Sequence, residues 1–301
     1  MHYPLSIVDE RVLPPDYKGD LFVWDVDKTY LATRFSSMKG LARIPLEFAV
    51  DKRAIRGMPE VLRGLRRGTG QGFACVPLYF ISASPPQLRE VLSRKMLLDG
   101  VEWDGLVLKD WIATLRMLTP GRLREQVGFK LCALLTLRLR RPFATEYLFG
   151  DDIEADALAY ALYARLLSGE LGDMDRDGEL ERAGVRPVDR SCIAELLQRL
   201  PRPCGQVARA FIHLAKGSDP HAFDQFGALV VPVHGAYQLA LTLLDLGKVD
   251  PRTVAEAGEA MKGRRFKPGE LEALEADALA RGLVTRPVLE RMRSGALGSV
   301  S

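Results

Sequence analysis

The chain has 301 residues, 47% of them hydrophobic and 27% charged, enough to bury one large core or a core with a smaller annex. With 42 Lys and Arg against 39 Asp and Glu, the formal net charge of +3 points to no nucleic-acid partner. Cys75, Cys132, Cys192 and Cys204 lack C-x-x-C spacing, which argues against a zinc site or a disulfide frame and for thiols in a reducing compartment.

Along the chain, the opening MHYPLSIVDERV carries no apolar h-region, so a signal peptide is not expected and the expected location is cytoplasmic. LFVWD (21–25) is a short apolar run that ends in Asp25, with Asp27 and Thr29 following at alternate positions. The helical pattern MPEVLRGLRRG (58–68) precedes a second apolar run, VPLYFIS (76–82), which ends in Ser82. A further helix, PQLREVLSRKML (86–97), leads to GLVLK (105–109), and Lys130 in VGFKLCALL opens an apolar helical run. EYLFGD (146–151) ends in Asp151 and is followed by the helical DALAYALYARLLSG (156–169).

Residues 170–205 are acidic, glycine-rich and turn-like. ARAFIHLA (208–215) and ALVVPV (228–233) complete the strands. The uncharged stretch from Phe226 to Leu244 contains Pro232, His234, Gly235 and Gln238, which suits a strand, a turn and an amphipathic helix better than a membrane span. From about 250 the chain is helical, ending in SGALGSVS, expected to fray.

Near-continuous apolar strands alternating with helices predict an α/β fold, a Rossmann-like doubly wound and mostly parallel sheet. Ligands in such sheets sit at the carboxyl ends of strands, where Asp25, Ser82 and Asp151 each fall. In an extended segment Asp25, Asp27 and Thr29 share one side. Taken singly, each signal has an ordinary reading. DVDKT fits a polar turn, SASPP a turn and helix start, Lys130 a surface lysine with Lys109 as its rival, and Asp151, Asp152 and Asp156 the first turn of a helix.

Three other features are set aside. DMDRDGELERAG (173–184) starts like a calcium loop but has Gly184 where a bidentate Glu is needed. KGRRFK (262–267) fits a solvated loop. Of His2, His213, His221 and His234 none has metal-pair spacing, and His213 on an apolar strand is expected in the core.

The order DxDxT, Ser, Lys, GDxxxxD resembles the haloacid dehalogenase superfamily of aspartyl-phosphate phosphohydrolases. FISASPPQL, RGMPEVLRGL, the FKL step, GDDIEADALAY and ALVVPVHGAYQLALTLLDLGKV narrow the resemblance to the phosphatidate-phosphatase-like domain of actin-patch proteins, a lipin-related branch. The likeness covers about 21–160 and, more faintly, 206–248, so a phosphatase domain is expected over 1–248, with 161–205 read from its composition as an insertion and 249–301 as a helical C-terminal extension. The connections from Tyr30 to Met58 and from Pro86 to Phe129 leave room for little or no cap.

The likeness implies Asp25 as nucleophile, Asp27 as general acid and base, and Thr29 orienting the pair. Ser82 and Lys130 would hold the phosphoryl oxygens. Mg²⁺ would bind Asp25, the Asp27 carbonyl and Asp151, with Asp156, or less favourably Asp152, ordering the metal shell. The implied substrate is a phosphomonoester, with membrane-borne phosphatidate-like lipids favoured over a soluble sugar or nucleotide phosphate. A non-catalytic scaffold binding phospholipid or protein is the alternative of another class. The chain departs from the branch at Lys28, where an acid is usual and which is expected to face away from the phosphate. It departs again at Pro86, where an aromatic is usual, near the substrate entrance.

Overall fold

In DLFVWD the side chains alternate between two apolar directions, as befits a strand covered on both faces. A computed structural model describes residues 3–32, 52–70, 72, 74–110, 125–263 and 266–293. Residues 33–51 and 111–124, which belong to the connections 30–58 and 86–129, residues 264–265 of the basic stretch and the SGALGSVS tail lie outside the described residues.

The sheet has seven strands: β1 (Leu5–Asp9), β2 (Asp20–Asp25), β3 (Leu78–Ser82), β4 (Gly105–Lys109), β5 (Thr145–Asp151), β6 (Val207–His213) and β7 (Val230–Val233). Their spatial order is β1-β4-β3-β2-β5-β6-β7. All neighbours run parallel except β1, which pairs antiparallel with β4. From β2 the chain moves outward through β3 and β4, then restarts on the other side of β2 with β5. The strand order therefore reverses beside β2, which opens a crevice above the carboxyl ends of β2 and β5.

The helices are α1 (Met58–Arg67), α2 (Arg89–Leu98), α3 (Glu125–Arg140), α4 (Asp156–Ser168), α5 (Asp173–Arg182), α6 (Pro187–Arg199), α7 (Ala236–Asp245), α8 (Pro251–Met261), α9 (Glu270–Ala280) and α10 (Arg286–Arg293). Phe22 and Trp24 point to one face, where α1, α2, α7, α8, α9 and α10 bury their apolar sides. There Trp24 stacks on Phe149 at 4.1 Å between ring centroids, and Phe149 on Phe211 at 5.1 Å. Leu21 and Val23 point to the opposite face, packed by α3, α4, α5 and α6. No helix among the described residues is long and apolar enough to cross a membrane, and the uncharged 226–244 stretch holds β7 and α7.

Two stretches differ from the sequence reading. The turn-like 170–205 contains α5 and α6, because Leu180, Val185, Ile193, Leu196 and Leu197 are buried and Pro187 suits a first helical turn. The backbone of the calcium-loop-like acids thus belongs to a helix. LSIVD (5–9) is also a strand, an edge one whose residues are all half-buried and which has no strong apolar run to betray it.

Candidate active site

After β2 the backbone turns back on itself. The Tyr30 and Leu31 amides both donate to the Val26 carbonyl (3.1 and 2.9 Å), and the Lys28 amide to the Leu31 carbonyl at 2.7 Å. Lys28 adopts φ 66°, the left-handed region that is uncommon for a residue with a Cβ. Its Nζ is directed along the chain to the Ala32 carbonyl. The turn buries Asp25, Asp27 and Thr29 together. Thr29 Oγ1 donates to Asp25 Oδ2 at 3.4 Å, and Ser82 Oγ to Asp27 Oδ2 at 3.4 Å. The Ser84 amide holds Ser82 Oγ from behind at 3.0 Å.

On the other side of β2, Gly150 makes room for a carboxylate. A Cβ at that position would stand 2.3 Å from Asp156 Oδ2. Asp156, at the start of α4, accepts a hydrogen bond from the Asp151 amide at 3.1 Å and one from Lys130 Nζ. Asp151 caps the turn that follows it: its Oδ1 accepts from the Ile153 and Glu154 amides at 2.6 and 2.9 Å. Its Oδ2 is buried with no hydrogen-bond partner.

Lys130 comes from α3 and is buried. Its Nζ lies 3.0 Å from Asp25 Oδ1 and 3.1 Å from Glu154 Oε2, and pairs also with Asp156. It is therefore Lys130 that meets Asp25, while Lys109, at the end of β4, lies over the Phe129 ring. Asp152 turns elsewhere, accepting from the Lys216 and Ser218 amides at 2.8 and 3.0 Å. Among the described residues, Asp25, Asp151 and Glu154 offer carboxylate oxygens that lie within 4.8 Å of one another, close enough to share a cation.

Glu154 is the residue that the sequence reading did not single out, although it stands inside the quoted GDDIEAD. It lies in the turn between β5 and α4, where neither strand nor helix periodicity indicates which way a side chain points. Asp156, expected in a metal shell, is placed on Lys130 and the Asp151 amide. His213, expected in the core, is half-buried at the end of β6, and its Nδ1 faces the Lys28 carbonyl.

Burial pushes the Asp25 carboxyl well above its usual range. The Lys130 ammonium opposes that shift, and Asp156, Glu154 and Asp151 add to it. Burial and Asp156 raise Asp151 from 3.8 to about 7, again against Lys130. Burial alone would depress Lys130, but Asp156, Asp25 and Glu154 outweigh it and keep the lysine charged. Among the described residues the Lys130 ammonium faces the carboxylates of Asp25, Glu154 and Asp156, with Asp151 beside them, so these carboxylates outnumber the cation they share. A divalent cation fits this donor set: hard oxygens, a negative excess and an unpartnered Asp151 oxygen.

A family model described as phosphatidate phosphatase APP1, catalytic domain, matches residues 21–171. No curated protein and no solved structure matches the chain.

Proposed function

Because this chain belongs to the phosphatidate phosphatase APP1 catalytic-domain family, whose model spans about half of it, we propose that it hydrolyses phosphatidate-like phosphomonoesters with Mg²⁺ through an aspartyl-phosphate on Asp25. The family is one of hydrolases acting on phosphate esters. The observation that carries the finer reading is the buried Asp25–Asp151–Glu154 triad beside Lys130, at the crevice where the strand order reverses.

Asp25, Asp151 and Glu154 would hold Mg²⁺, with Asp27 contributing through its carbonyl. When bound, the ion supplies the positive charge that lets an anionic carboxylate and an anionic phosphate approach each other. Lys130 fixes the Asp25 carboxylate through its 3.0 Å contact and is itself fixed by Asp156. In the first step an Asp25 oxygen forms a bond to phosphorus, the bond from phosphorus to the leaving alkoxide breaks, and Asp27 delivers a proton to that oxygen. In the second, Asp27 takes a proton from water, whose oxygen displaces the Asp25 carboxylate and releases inorganic phosphate. Ser82, which reaches Asp27 Oδ2 in the resting protein, has a hydroxyl that can turn to a phosphoryl oxygen without adding charge. Thr29 orients Asp25 from the other side.

The test is phosphate release from phosphatidate vesicles and from a panel of soluble sugar and nucleotide phosphates, with Mg²⁺ or EDTA. Release from phosphatidate, abolished by EDTA and reduced at least about 1,000-fold in Asp25→Asn, is the expected result. Release that survives Asp25→Asn sinks the mechanism, and release from soluble esters alone sinks the lipid assignment.

A further inference from the structure

His213 ends β6 directly across from Asp151, in register with it. Its Nδ1 stands 3.0 Å from the carbonyl oxygen of Lys28. A carbonyl only accepts, so the proton of this contact sits on Nδ1 and Nε2 is left as the acceptor when the ring is neutral. The ring thus joins the end of β6 to the residue between Asp27 and Thr29.

Lys28 needs holding. At φ 66° its Cβ crowds its own backbone, a conformation that persists only when its surroundings insist on it. Three bonds hold it: its amide to the Leu31 carbonyl, its Nζ to the Ala32 carbonyl, and its carbonyl to His213. Two of these lie within the turn and move with it. The third reaches another strand, and that strand is bonded in turn to the backbone next to Asp151, since the His213 carbonyl accepts from the Asp152 amide at 3.1 Å. Rotation of the Lys28–Thr29 peptide would carry the Thr29 amide with it and shift Thr29 and Asp27 relative to Asp25 and Ser82. His213 lies outside the residues matched by the family model.

We propose that His213 is a positioning residue: by anchoring the Lys28 carbonyl to β6 it holds the turn that carries Asp27 and Thr29 against Asp25 and Ser82. The proposal rests on the catalytic reading of Asp25 and Asp27, and its test has one arm that does not. His213→Leu removes the donor, and His213→Asn offers an amide N–H near the place of Nδ1–H. The full chain of each is compared with the unaltered protein by deuterium uptake of the segment 26–32 and by steady-state phosphate release with Mg²⁺.

His213→Leu is expected to raise uptake in 26–32 and to lower kcat about 10- to 100-fold with KM within about threefold, the signature of misplaced reacting groups. His213→Asn is expected to restore both towards the original values. Unchanged uptake in His213→Leu overturns the proposal, as does a loss that His213→Asn fails to repair while both variants stay folded by circular dichroism. A protein that releases no phosphate from any ester defeats the catalytic reading, and the uptake comparison alone then decides the anchor.

Discussion

At Gly150 a missing carbon allows the site to exist. Its absent Cβ would lie 2.3 Å from Asp156 Oδ2 and 2.6 Å from Asp156 Cβ, so the crowding involves the root of that side chain as well as its end. Asp156 holds Lys130, and Lys130 holds Asp25. Gly150→Ala should therefore push Asp156 aside and pass the displacement to Asp25. The expected result is a loss of turnover of about 100-fold together with a destabilisation of about 1–3 kcal/mol, read by phosphate release and urea unfolding. Full turnover in a folded Gly150→Ala would show that the Asp156–Lys130 link does not position Asp25. At this scale the acids of DVDKT and GDDIEAD stood out because both follow apolar strands. Which further acid of GDDIEAD joins Asp25 and Asp151 did not, since Asp152, Glu154 and Asp156 diverge within a single turn.

Among the elements, the N-terminus of α8 shows how the C-terminal helices are fastened. Asp250 accepts from the Thr253 amide at 2.8 Å and pairs with Arg67 of α1 at 3.2 Å. Partial burial works against its charge, yet the bonds from Thr253 and Arg67 prevail and hold its carboxyl below the ordinary 3.8. A carboxyl whose folded pKa is depressed stabilises the fold above its unfolded value, here near 3.8, and stops doing so as pH falls through the folded one. Asp250→Ala should thus cost about 1–2 kcal/mol at pH 7 and less at pH 2.5, compared by urea midpoints at the two pH values. An equal cost at both would mean that the cap acts without its charge. The 170–205 stretch teaches a related lesson. Its glycines and acids read as turns, but α6 is fixed by packing on α3, where a Cβ on Gly128 would stand 2.6 Å from Asp189 Oδ2. Composition alone does not report that contact.

For the molecule as a whole, the helices after residue 249 are part of the core. Val254, Ala257, Ala278, Val284, Val288 and Leu289 are buried in the same cluster as Trp24 and Phe80. A chain ending at residue 248 should expose that face and lose its cooperative fold. A soluble truncated chain with the near-ultraviolet circular dichroism of the full protein would refute this. The class of fold and the end of the sheet that holds the site were legible in the sequence, because apolar runs of strand length and acids at their carboxyl ends are local facts of the chain. Only the tertiary structure decided that Lys130 meets Asp25, that Glu154 completes the triad, and that His213 reaches Lys28. Those contacts join residues far apart in sequence, and they depend on strand order, register and helix packing, which a periodic pattern of polarity does not encode.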